Sequence, residues 1–263
     1  MRWLTSQPVW LLVAGSLALA LLTAGASRVL AAAIVPAGEA DRVYSVAAPL
    51  MPALGASFAV LTALTLASEA GYLRSAQDIV SREAAGASRL AWASTSPGVD
   101  SAAVQDALDD YLRATREHEW GGADAAEAAD ESVSADLAAL ERVVRGEAAQ
   151  PELGTPSSTE LLASLDAVTM GRRERIAAAS RLLPGLYVAT LVVSGLALIA
   201  NAGALAFRTS VRTSLLVAGL ACVVGLSLAL LLAIAAPWEG GLVATGDPID
   251  AVVRDLEAGF FTP

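Results

Sequence analysis

The chain has 263 residues, 55% of them apolar, with a net charge of −10, one cysteine and one histidine. The apolar residues come in blocks of membrane length, which excludes a single soluble core over which they would be spread. All 17 basic residues are arginine and the surplus acid lies mid-chain, so the basic stripe of a nucleic-acid binder is absent; a single cysteine allows no intrachain disulfide and no cysteine-built metal site.

Pro8 to Ala24 is apolar and apolar character resumes at Val29 to Val35, which predicts a first transmembrane helix within residues 1–36. The alternative is a cleaved signal peptide, since Ala24-Gly25-Ala26 is an A-x-A-like site; the weakly charged region before it, with Arg2 alone, favours the span. Pro36 to Arg42 is a polar turn. A second transmembrane helix follows at residues 45–68, its regular part starting at or just after Pro52. Beyond it Arg74, Asp78, Arg82, Glu83 and Arg89 continue at helical spacing, which predicts one rod that leaves the bilayer and enters water.

On a 3.6-residue period Phe58, Thr62, Thr65 and Glu69 fall on one side of this rod, and Gly55 and Tyr72 extend the stripe. Two readings are open. The stripe lines a water-filled path, because polar groups inside a bilayer must face protein or water. Alternatively the threonines bond back to carbonyls of their own helix and Glu69 sits among the headgroups.

Residues 69–183 read as a helical bundle. Ser94 to Gly98 ends the rod, Val104, Leu108, Tyr111 and Thr115 mark a second helix closed by Gly121-Gly122, and Val133, Leu137, Leu140 and Val144 mark a third. Asp124, Glu127, Asp130, Glu131 and Asp136 lie in the first half of that third helix, where acid suits the macrodipole without any calcium ion. The calcium-loop spacing is absent, and His118 fits a solvated helix end, so no metal or cofactor is expected. Gly146 to Pro156 is a linker, and Ser157-x-x-Glu160 fits a capping box opening a fourth helix with Leu161, Leu165, Val168 and Ile176. The basic run Arg172, Arg173, Arg175 and Arg181 precedes the return to the membrane.

Residues 184–237 hold the third and fourth transmembrane helices, and 238–263 a C-terminal tail. Asn201 is the most polar interior residue of these two spans and is assigned to intramembrane packing, as is Gly225 in the small-residue row Ala221, Gly225, Ala229 and Ala233. Cys222 reads as a small packing residue. The fold class is therefore all-α: four transmembrane helices with a cytosolic antiparallel helical bundle inserted between spans two and three. Arg2, Arg74, Arg82, the Arg172 to Arg181 cluster and Arg254 share one side, which the arginine rule assigns to the cytoplasm together with both termini, in the cell membrane.

Several segments resemble the bacterial bestrophin-like integral membrane protein family over about residues 45 to 260. They are the second span running into Tyr72 and Arg74, the Tyr111 to Trp120 segment ending EHEW, the Arg-rich approach to Leu183-Pro184, and Pro237-Trp238-Glu239-Gly240-Gly241-Leu242 with Pro248. The last is similar to the family's Pro-Phe-x-Gly element, with Trp in place of Phe. Kinship with bestrophins implies a homo-oligomer, with a pentamer as the candidate, that passes small inorganic ions, anions above all, along its second span. The gating-neck and calcium-clasp residues of bestrophins have no matching positions here.

Two functions compete on this footing: an ion channel with Phe58 as an apolar constriction and Thr62, Thr65 and Glu69 lining the pore, and a non-conducting scaffold or signalling protein whose cytosolic helices bind a partner. An enzyme is not expected, because no Gly-rich phosphate loop, His/Cys/Asp cluster or nucleophile elbow is present. The partners expected are the lipid bilayer and further copies of the chain, with no nucleic acid.

Overall fold

The computed structural model describes residues 7–120, 130–179, 185–235, 238 and 243–262. Arg2, the Gly121-Gly122 stop, Asp124, Glu127, Arg181, the Leu183-Pro184 step, Pro237 and residues 239–242 lie outside the described residues. Among the described residues the chain is helical throughout, with no strand. The helices are α1 (Val9–Ile34), α2 (Ala40–Ser94), α3 (Ser101–His118), α4 (Glu131–Ala148), α5 (Thr155–Ala179), α6 (Gly185–Leu205), α7 (Val211–Ile234) and α8 (Asp247–Glu257). Four of them, α1, α2, α6 and α7, are long and apolar enough to cross a membrane.

The chain divides into two compact units. In the first, α1, α2 up to Gly71, α6 and α7 meet through small residues. A Cβ on Gly225 would stand 3.1 Å from the Leu17 Cα and the Ser16 carbonyl, and one on Gly203 would collide with the Ser27 hydroxyl of α1. Ala221, Gly225, Ala229 and Ala233 are all buried. Helices without a hydrophobic drive between them associate by such close approach. The outer faces carry Trp10, Leu22, Val29, Leu64, Leu186 and Leu216, all more than half exposed, as lipid-facing side chains must be.

α2 begins well before the expected point. Pro49 and Pro52 lie inside it, each removing one backbone bond, yet the turns around them are held from α6 and the turn that follows it. Asn201 Nδ2 donates to the Ala47 carbonyl at 2.9 Å, and the Tyr44 ring stacks on Phe207 at 5.9 Å.

The second unit contains α2 from Tyr72 on, with α3, α4, α5 and α8. Its core takes Val80, Leu90, Val104, Leu108, Tyr111, Val133, Leu140, Val144, Leu161 and Val168, which are fully buried on the faces that the helical period marks. α2 stops at Ser94, and Gly98 turns the chain with φ at +92°, a conformation glycine adopts freely. Asp130 caps α4 by accepting from the Ser132 N–H at 2.8 Å.

The capping box expected at Ser157 is not formed. α5 starts at Thr155, which places Ser157 inside the first turn, and the Glu160 carboxylate is taken by the Arg89 guanidinium instead. The C-terminal tail contains a helix not assigned from the sequence: Asp247 to Glu257, with proline in its first turn, sends Ile249 and Val252 into the core of the second unit, with Phe261 following. Salt bridges from Arg116 to Asp250 and from Arg113 to Glu257 tie it to α3.

Candidate functional site

The stripe on α2 is the shielded side of that helix. Phe58 is 6% exposed, and a Cβ on Gly195 would stand 3.0 Å from its ring and 2.9 Å from a Val224 methyl. Thr62 is partly buried, and its hydroxyl oxygen, shielded from solvent, has no hydrogen-bond partner among the described residues. Thr65 Oγ1 donates back to the Leu61 carbonyl at 2.8 Å, and Glu69 is buried. Ala59, Ala63 and Ala67 on the opposite side are exposed. Phe58 and Glu69 are thus buried and Thr62 and Thr65 half-buried, so all four sequence-marked residues lie on the side of α2 turned away from solvent.

A second polar constellation, in the other unit, has no counterpart in the sequence reading. Glu83 of α2, Glu119 just past α3, and Arg172 and Arg175 of α5 are all buried. Arg175 Nε donates to Glu83 Oε2 at 2.7 Å and its Nη2 to Glu119 Oε2 at 2.9 Å. Arg172 pairs with the other Glu119 oxygen and donates to Ser134 Oγ at 3.0 Å. Tyr111 donates its hydroxyl to Glu83 Oε1 at 2.7 Å, and the Asp130 N–H reaches Glu119 Oε1 at 3.1 Å. The guanidinium groups of Arg116 and Arg175 lie 5.0 and 5.4 Å from the Trp120 ring centroid, and Trp120 meets Trp238 edge-on.

Two cations and two anions cancel inside this network, and every carboxylate oxygen has a donor, which is the condition under which buried charge is tolerated. It joins α2, the end of α3, the start of α4 and α5. Among the described residues its members are bonded to one another, which locks four helices in one register. Among the described residues no group of three or more His, Cys, Asp and Glu could hold a metal ion.

The sequence places Glu83 on the rod that enters water and Arg172 and Arg175 in the basic run before the third span, and it marks Glu119 only as part of the EHEW segment. One signal was available: Arg172 and Arg175 lie four and seven residues after Val168, so their helical direction matches the apolar stripe of α5.

Burial pushes the Glu119 carboxyl up, but the hydrogen bond from Arg172 and the charges of Arg175 and Arg172 outweigh it and hold the group below its ordinary value. The Tyr111 phenol is pushed well above its ordinary value, first by burial and then by the Glu83 charge. The two shifts bound the stable range from opposite sides. A lowered Glu119 contributes stability that is full above the ordinary glutamate range and is lost as pH falls through the lowered value; a raised Tyr111 contributes stability that is full below about pH 10 and is lost as pH rises through the raised value. Thermal unfolding of the second unit in the full chain should therefore show a plateau between about pH 5 and pH 9.5. In Tyr111→Phe the alkaline fall should shrink while the acid fall stays.

A family model described as the Bestrophin-like domain matches residues 18–249. The match begins inside α1 and so takes in the first span, which the resemblance seen in the sequence did not reach. No curated protein and no solved structure matches the chain.

Proposed function

From the premise that this chain belongs to the bestrophin-like family, we propose that it is a homo-oligomeric membrane channel for small inorganic ions, with the α2 stripe along the ion path. In this reading the helical bundle is inserted between spans two and three on the cytoplasmic side, together with both termini. The observation that carries it is the unpartnered Thr62 hydroxyl, enclosed within the first unit between Phe58 and Glu69. A buried hydroxyl without a partner is unfavourable by about 1–3 kcal/mol, and water or a hydrated ion passing along the stripe supplies the missing bond. Phe58 is then the closed constriction, an apolar ring of the kind that gates by dewetting.

A second reading, a non-conducting scaffold, is favoured by one observation: Thr65 satisfies its own hydroxyl on the Leu61 carbonyl, and Phe58 packs closely against Gly195, as in ordinary helix association.

Cysteine labelling in a Cys222→Ala background separates the two and tests the sidedness as well. Cysteines at Thr62 and Glu69 should react with a small aqueous thiol reagent, and cysteines at Ala59 and Ala63, facing lipid, should not, since only a hydrated thiolate reacts. Cysteines at Gly98 and Gly154 should react with an impermeant reagent only from the cytoplasmic face. Labelling without helical period along α2 favours the scaffold, and reaction of Gly98 or Gly154 from outside reverses the orientation.

A further inference from the structure

α1 carries a charge in its apolar length. Arg28 is followed by Val29 and Leu30, both exposed, and so stands within a lipid-facing segment rather than at its end. Its guanidinium donates to Ser214 Oγ of α7 and to the Thr209 carbonyl at 3.3 Å. Both acceptors are neutral. No described carboxylate pairs with Arg28, whereas Arg82, Arg89, Arg113, Arg116, Arg172 and Arg175 each hold one. An uncompensated guanidinium beside hydrocarbon is costly, and its charge is best satisfied by an anion delivered at that depth.

The surroundings restrict what the anion can be. Arg28, Gly25, Gly203 and Ser214 line a cavity of about 200 Å³. Gly25 and Leu21 also line a second, open and almost wholly apolar groove that runs along α1 past Leu22 and Ala18. The two share Leu21 and Gly25 as lining residues and so adjoin along α1. At 1.5 Å per residue the stretch from Ala18 to Arg28 is about 15 Å long, the scale of an acyl chain lying in one leaflet. Exposed Arg208 and Arg212 flank Thr209 and Ser214 and add positive potential at the same end, while Glu39 and Asp41 are exposed and make no described bond to Arg28.

We propose that this groove seats an anionic phospholipid, with its phosphate on the Arg28 guanidinium and one acyl chain along α1. The assignment rests on the membrane placement of α1, α6 and α7 and not on ion conduction, so a failure of flux leaves it standing. A guanidinium binds phosphate by paired charge-assisted hydrogen bonds, and a zwitterionic lipid brings its own cation into competition.

The full chain, purified in neutral detergent, is titrated with phosphatidylglycerol or phosphatidylcholine and read by native mass spectrometry and by the melting temperature. Phosphatidylglycerol should bind about tenfold more tightly, the scale of one charge-assisted hydrogen bond. Arg28→Gln should abolish that preference and Arg28→Lys should keep most of it. Gly25→Leu places its side chain where a Cβ meets nothing within 4 Å, so the protein should fold and lose phosphatidylglycerol from this seat by filling the groove. Should Arg28→Gln fail to fold, Gly25→Leu decides alone. Equal affinity for the two lipids, a preference that survives either variant, or displacement of the lipid by millimolar inorganic phosphate would overturn the proposal, the last by showing a site for a free anion.

Discussion

Replacing Arg175 by alanine should unfold the helical unit built on α3, α4, α5 and α8 while leaving the four apolar helices folded. The change strips Glu83, whose side chain is 0% exposed, of its only described cationic partner, and Glu119 of one of two. Removing one partner of a buried ion pair costs about 3–5 kcal/mol, because the carboxylate left behind is neither hydrated nor paired. That is comparable to the whole stability of a marginal domain. Protease digestion of the full chain should accordingly cut the middle of the sequence and spare the spans. The control is the pair Glu83→Leu with Arg175→Met, which removes both charges and keeps the volume; it should recover most of the loss, and a double-mutant cycle gives the coupling. A single variant as stable as the parent would show that the network contributes nothing.

Gly171→Leu should be about as damaging, for a steric reason. A Cβ at Gly171 would stand 2.8 Å from the Cα and Cβ of Glu83, so α5 touches the backbone of α2 there, and a Cβ at Gly86 would come within 3.2 Å of Ala167. Replacing a helical glycine ordinarily gains up to about 1 kcal/mol in propensity. Overpacking of a close contact costs about 1–3 kcal/mol, and here the displaced residue also carries the 2.7 Å bond to Arg175, so the net sign is destabilising by about 3 kcal/mol. Gly146 in α4 supplies the contrast, since a Cβ there meets nothing within 4 Å and Gly146→Ala should be neutral or slightly stabilising. Denaturant midpoints of the two variants, taken against the parent chain, measure the difference.

Arg175 and Gly171 also show where the sequence stops being informative. The all-helical class, the four apolar helices and the family were legible, because hydropathy and helical period are local properties summed over many residues. The core faces of α3 and α4 were legible for the same reason. The ionic network was not, because its members come from three regions far apart in the chain, and an arginine at a buried helical position has the same letter as one in solvent. Nor was the contact at Gly171, since which helix a glycine approaches depends on the partner. The helix Asp247 to Glu257 was missed although its signals are local: Pro248 in the first turn, then Ile249, Val252, Val253 and Leu256 at helical spacing. Arg89 shows how tertiary contact overrides a local motif, for it takes the Glu160 side chain that a capping box at Ser157 would have used.

On α2 the four marked residues lie on the side turned away from solvent, and which of the two readings holds depends on whether that side is wet. Phe58 is the point at which they differ most. An apolar ring that closes a hydrated path admits more ions when it is truncated, whereas a ring that only fills a helix interface leaves a dry cavity and a less stable protein. Ion flux through proteoliposomes containing the purified chain, compared among the parent, Phe58→Ala and Glu69→Gln, is therefore the most direct measurement. The channel reading expects flux from the parent protein, a severalfold rise in Phe58→Ala, and in Glu69→Gln a shift of selectivity toward anions because a cation-attracting carboxylate has been removed. Absence of flux from all three proteins, each shown to be folded and inserted, would contradict it and leave the stripe as a helix interface of a scaffold.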